Sequence, residues 1–202
     1  MNYFITAIGT DSGKSLFSAI ICEALEADYW KPIQAGYPRD TDYVGGLLSN
    51  LKSDLIPEKY VLNTPASPHY AAEIDDVKLE LEDFDIPQTD NENLVIEGAG
   101  GVLVPFNEQE FVIDFPQQWN IPVILVANLY LGSINHTLLT VNELKRRGVE
   151  VKGIVFNGPS NPASEEIILK HSGYNCLLRI AEEKEINHAV VRKYAAELKR
   201  NL

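Results

Sequence analysis

The chain has 202 residues, 45% hydrophobic and 23% charged, with 29 acidic against 17 basic side chains and a formal net charge of −12. That length supports one sizeable core, so a single domain over 1–202 is expected. The acid excess argues against a general nucleic-acid binder, and no apolar run approaches the roughly 20 residues needed to cross a bilayer.

In chain order, continuous apolar strands are expected at 3–8, 93–96, 122–127 and 152–156, with a short one at Tyr29-Trp30 and a late one at 176–180. Continuous rather than alternating hydrophobicity means that both faces are covered, as in a parallel sheet between helices. Helical spacing predicts helices over 14–27, 133–147, 162–171 and 187–200, and the acidic stretch 73–90 reads as a surface helix and loop. The fold class is therefore α/β, a single domain with a mostly parallel central sheet and helices on both faces. Cys22 and Cys176 lie far apart among apolar residues, the pattern of buried free thiols in a reducing compartment. With no signal-peptide pattern before the first strand, a cytoplasmic location is expected.

The first strand runs into Gly9-Thr10-Asp11-Ser12-Gly13-Lys14-Ser15. Such a loop turns backbone N–H groups toward an anion, the following helix adds the positive end of its dipole, the lysine reaches the outer phosphates and the serine hydroxyl can ligate Mg²⁺. An ATP-using protein of the P-loop NTPase kind is expected, although the usual pattern would place a glycine at Ile8.

Ligands of open parallel sheets bind beyond the carboxyl ends of the strands. Five strand ends carry chemistry here. Lys31, held extended by Pro32, can be aimed at a transferring phosphoryl group. Glu97 follows its strand as a magnesium-holding carboxylate does, and Gly98, Ala99, Gly100 and Gly101 let the chain approach a ligand closely. Asp40 and Asp42 are both candidate helix N-caps, and Asp42 is also a candidate metal ligand. Ser133, Ile134 and Asn135 open a helix whose free N–H groups suit a carboxylate, with Ser133 as its N-cap. Asn157-Gly158 reads either as a turn or as a contact to an adenine edge. His69 and His136 lack metal-ligand spacing and read as packing residues.

Together with Ala66-Ser67-Pro68-His69, these segments resemble the dethiobiotin synthetase family in order and spacing, over roughly residues 3–158. The Gly-Ala-Gly-Gly and Leu131-Gly132-Ser133-Ile134-Asn135-His136 segments carry most of the likeness. The resemblance implies a homodimeric, Mg²⁺- and ATP-dependent enzyme of biotin synthesis that closes a ureido ring on 7,8-diaminopelargonic acid with CO₂. It implies that Lys14, Lys31 and Thr10 serve the reacting centre and that Asp11 to Leu16, including Ser12 and Gly13, wrap the triphosphate. It further implies that Ser15, Asp42 and Glu97 hold Mg²⁺, that Asn157 and Gly158 contact adenine, and that Ala35 and the Ser133 to His136 helix start contact substrate, the latter from the partner subunit. Ala7 departs from the family, standing where many relatives carry the loop's first glycine. So does the segment after the last strand, where a Gly-x-Ile-Pro-like stretch is not recognisable in 177–182. The alternative is a ParA/MinD-like partitioning or positioning ATPase, but residues 7–12 lack the extra lysine such switches carry early in the loop. An amidoligase would need a glutamine-hydrolysing domain, for which the chain has no room.

Overall fold

The computed structural model describes all 202 residues. Its centre is a seven-stranded parallel sheet in the order β4-β2-β6-β1-β7-β8-β9, formed by β1 (Asn2–Ala7), β2 (Asp28–Trp30), β4 (Leu55–Ile56), β6 (Leu94–Gly101), β7 (Val123–Asn128), β8 (Val151–Asn157) and β9 (Cys176–Ile180). A second, two-stranded parallel sheet pairs β3 (Ile33–Ala35) with β5 (Tyr60–Leu62) beside the first.

Each long strand feeds both faces, which is why its apolar run is unbroken. On one side Ile5, Val95, Ile124, Val126 and Val155 pack with Phe17, Ile20 and Ile21 of α1 (Lys14–Leu25) and with Val191, Tyr194 and Leu198 of α7 (His188–Leu198). On the other, Phe4, Leu94, Ile96, Leu125 and Phe156 meet Phe115 of α4 (Asp114–Trp119), Val141 and Leu144 of α5 (Ser133–Arg146) and Ile168 of α6 (Pro162–Ser172). The strands and helices expected at these places are present, displaced at their ends by at most two residues except at the end of the strand expected at 93–96. No helix is long and apolar enough to cross a membrane.

Four expectations need correction. The acidic stretch 73–90 holds no surface helix beyond the end of α3 (Pro68–Ile74), only a single 3₁₀ turn at Leu81–Asp83. Its course is set by Phe84, fully buried with its ring 4.8 Å from that of Phe115 and 6.0 Å from that of Phe106, so the segment is nailed to the core by one aromatic side chain. The strand expected at 93–96 runs on through the glycines as β6, because a Cβ at Gly98 would lie 2.9 Å from both the Phe4 ring and Val112. Cys22 is buried and free as expected, whereas Cys176 is free but only partly buried. Finally, α2 (Asp40–Gly45) begins after Arg39, and neither Asp40 nor Asp42 is its N-cap.

Candidate active site

All strands of the main sheet point the same way, so the segments after β1, β2 and β6 open on one rim, around a cleft of 870 Å³. At its floor β1 ends and the phosphate loop begins. Asp11 adopts a left-handed φ of 56° and Gly13 one of 94°, which turns the loop around before α1 starts at Lys14. At Gly13 a side chain is doubly excluded, since a Cβ would lie 2.3 Å from Asn157 Nδ2. Ser12 Oγ and Lys14 Nζ both donate to the Gly9 carbonyl, at 3.1 and 3.3 Å, so the loop is held curled by its own side chains. Thr10, Asp11, Gly13, Lys14, Ser15 and Leu16 line the cleft, while Ser12 turns its side chain inward.

Glu97 stands at the centre of the polar network, 1% exposed. Four donors reach its carboxylate and divide evenly. Oε1 accepts from Ser15 Oγ at 2.8 Å and Lys31 Nζ at 3.2 Å; Oε2 accepts from Ser18 Oγ at 2.7 Å and Tyr29 hydroxyl at 3.0 Å. Asp40 closes the group from the other side, 2.6 Å from Lys31 Nζ. Burial alone pulls the Lys31 ammonium downward, but the adjacent Glu97 and Asp40 charges outweigh it and hold its pKa above the ordinary lysine range. Lys14 has no such pair of partners. Its burial prevails over the more distant Glu97 charge and lowers its pKa. Burial, followed by the Glu97 charge, keeps the Tyr29 phenol well above its usual range, so it remains a donor. Two lysines and two carboxylates thus balance in charge within one cleft, with both lysines and Glu97 almost wholly buried.

Lys31 lies in the two-residue link between β2 and β3, where Pro32 fixes the extended path that aims its side chain across β6. Ala35 lines the cleft five residues before α2, and Gln34 braces that turn, donating to the Gly36 carbonyl at 2.9 Å and accepting from the Asp40 amide at 3.1 Å. Asp42, expected as a metal ligand, is not brought into the cleft here. Its carboxylate is bound by Arg39 at 2.7 and 3.0 Å, its side chain is 60% exposed, and it lies outside the cleft lining, whereas Asp40 is within it.

Ala99 and Gly100 line the cleft, but Gly98 does not; it serves the contact with Phe4 described above. Asn157 and Gly158 also lie outside the lining. Asn157 Nδ2 donates to the Ser12 carbonyl at 3.0 Å, which ties the end of β8 to the phosphate loop. The Gly158 amide donates to Ile180. Ser133, Ile134 and Asn135 are likewise absent from it, and the N-cap of α5 is Gly132 rather than Ser133. Ser133 Oγ is buried without a hydrogen-bond partner, while Leu131, Ile134 and Leu139 expose apolar surface around it. His69 and His136 are exposed rather than packed, His136 against the Tyr130 hydroxyl.

The residues that sequence reasoning missed are Asp40, Gln34, Ser18 and Tyr29. Ser18 carried a readable signal, since it follows Ser15 by three positions and so shares its helix face. The candidate metal-binding atoms at the cleft's acidic end are oxygens, and no cluster of three His, Cys, Asp or Glu side chains exists that would hold a metal ion unaided. Two carboxylates and a hydroxyl beside a phosphate loop suit Mg²⁺, which binds through one or two carboxylates and takes its remaining ligands from phosphates and water.

A family model described as an AAA domain matches residues 1–190. The chain is 55% identical to the ATP-dependent dethiobiotin synthetase BioD of Cytophaga hutchinsonii over 197 residues, 97% of this chain and 96% of that one. It is 47% identical to the protein of the same name from Christiangramia forsetii, over all of this chain and 97% of that one. Among solved structures it is similar to the septum site-determining protein MinD of Pyrococcus horikoshii complexed with Mg-ADP, with a TM-score of 0.60, 13% identity and coverage of 100% and 93%. A ParA family ATPase from Chlorobium tepidum gives 0.58, 12%, 99% and 94%. At that identity the last two establish the P-loop fold alone.

Proposed function

The chain belongs to the ATP-dependent dethiobiotin synthetase family, and from that premise we propose that its cleft closes the ureido ring of dethiobiotin on 7,8-diaminopelargonic acid, with CO₂ and ATP. One substrate amine attacks CO₂ and loses a proton to give a carbamate. A carbamate oxygen takes the γ-phosphoryl group, releasing ADP. The second amine then attacks the carbonyl carbon, the C–O bond to the phosphate breaks, and the ring closes as phosphate leaves. The observation that carries this reading is the convergence of Lys14, Lys31, Glu97 and Asp40 on the phosphate loop in a single cleft.

Each residue's part follows from its place. Lys14 reaches the outer phosphates once it lets go of the Gly9 carbonyl, and Lys31 neutralises the carbamate and the transferring phosphoryl group between them. Exchange of Asp40 for an anionic substrate would leave the Lys31 ammonium paired throughout. Thr10, at the open edge of the loop, donates to the reacting group. Ser15, Glu97 and Asp40 are the residues that would hold Mg²⁺, with Asp40 in the position first assigned to Asp42; bound there, the ion would offset charge on the β- and γ-phosphates. Asn157 keeps its Oδ1 available to an adenine amino group while its Nδ2 fixes the loop. The start of α5 is proposed to receive the substrate carboxylate across a homodimer interface, supported by the unpartnered buried Ser133 hydroxyl and the exposed Leu131 and Ile134. A small-molecule ligase with two unpaired cysteines fits the cytoplasm.

The test is phosphate release by purified protein given ATP, Mg²⁺ and bicarbonate. Release is expected only when the diamine is added. Release indifferent to the diamine and stimulated by DNA or lipid vesicles would replace this reading with the partitioning-ATPase one.

A further inference from the structure

The two oxygens of Glu97 are held by different kinds of residue. Ser15 and Lys31, on Oε1, line the cleft. Ser18 and Tyr29, on Oε2, are fully buried behind it and are not themselves part of the lining. A glutamate's terminal torsion is soft and roughly two-fold, so one hydrogen bond does little to fix the plane of its carboxylate. Two donors converging on the same oxygen, one from α1 and one from β2, do fix it. Both are neutral, so they orient the group without cancelling its charge as a further cation would.

We propose that Tyr29, together with Ser18, is a positioning residue that locks the Glu97 carboxylate with Oε1 toward the cleft, as Mg²⁺ coordination requires. Magnesium demands near-ideal octahedral geometry, so a freely turning carboxylate is a poorer ligand than a fixed one of equal charge. The backbone makes this arrangement available because β2 lies directly beside β6, with Tyr29 opposite Val95 in register and two residues short of Glu97 along the neighbouring strand. The side chain of Tyr29 therefore runs along the sheet toward the strand end, and its hydroxyl arrives at Glu97 from beneath.

The inference rests on the metal assignment above, and the experiment separates the two. Mn²⁺ binding is measured by electron paramagnetic resonance in saturating ADP for the wild type, Tyr29→Phe and Ser18→Ala, beside ADP affinity without metal. Wild-type protein is expected to bind Mn²⁺ with ADP. Tyr29→Phe keeps the ring and is expected to bind Mn²⁺ about tenfold more weakly, with Ser18→Ala weakened in the same direction and metal-free ADP affinity unchanged in both. Wild-type protein that takes up no Mn²⁺ would remove the metal site and this proposal with it. Wild-type binding matched by both variants would overturn this proposal alone, whatever their melting temperatures. If Tyr29→Phe does not fold, Ser18→Ala decides the matter by the same criterion.

Discussion

The two ends of the strand rim differ in completeness. Around β1, β2 and β6 the buried charges all have polar partners, Lys14 the Gly9 carbonyl and Lys31 and Glu97 each other with Asp40 and three hydroxyls, and Lys14, Lys31 and Glu97 are each at most 8% exposed. Around the start of α5 the opposite holds. Ser133 Oγ is buried without a partner, Leu131 is fully exposed, and Ile134 and Leu139 face outward at 37% and 59% exposure. The first region is finished by this chain alone, whereas the second has the character of a surface that a further body completes. Under the proposed function, phosphate-side chemistry would be preorganised within one subunit and recognition of the organic substrate would fall to an assembly.

The difference can be broken most strongly at Lys31. Lys31→Ala is expected to lower diamine-dependent turnover roughly 10²- to 10³-fold, since it removes a buried cation aimed at developing charge. Glu97 retains its three hydroxyl donors, so circular dichroism should report a folded protein; an unchanged rate would take Lys31 off the catalytic list. Next in size, Asp40→Asn is expected to raise the Mg²⁺ concentration needed for half-maximal phosphate release by about tenfold or more, against about twofold or less for Asp42→Asn. Equal effects would erase the distinction drawn between them. On the unfinished side, Ile134→Asp is expected to weaken self-association by about tenfold or more, read by sedimentation, because it sets a charge in a surface meant for apolar contact. A monomeric wild type would remove the proposed interface.

The smallest effect is electrostatic, and it belongs to the far end of α5. Hydrogen bonds from Arg146 and then Arg147 hold the Glu143 carboxyl at about 2, below its ordinary 4.5. A depressed acid contributes stability that is fully present above its unfolded value and is lost as the pH falls toward 2. Glu143→Gln should therefore melt slightly lower than the wild type at pH 7, by about 1 kcal/mol or less for a surface pair, with the gap closing in acid. A gap constant with pH would place its origin elsewhere.

Much of this architecture was legible before any coordinates. The four long strands announce themselves because helices cover both of their faces, leaving no polar alternation to confuse the pattern. Strands of two or three residues, such as β3, β4 and β5, are too short to carry a period at all. That Asp40 rather than Asp42 lines the cleft has an equally simple cause. Residues two apart on a helix point about 200° apart, so only one of the two carboxylates of Arg39-Asp40-Thr41-Asp42 can face the cleft. Which one does so depends on where the helix axis lies, and that is set by Gln34 gripping the Asp40 amide from another strand. The glycines after Glu97 look like a loop in one dimension and prove to be a strand, because what they accommodate is the Phe4 ring and the backbone of β1.

The amide of Asn157 reaches Ser12 across 145 positions of chain, fastening the last third of the molecule to the phosphate loop at the mouth of the cleft. Occupancy of that mouth should therefore be felt far from it. Whatever quiets the loop should also slow amide exchange along β8 and β9, so the C-terminal strands become a remote gauge of nucleotide binding.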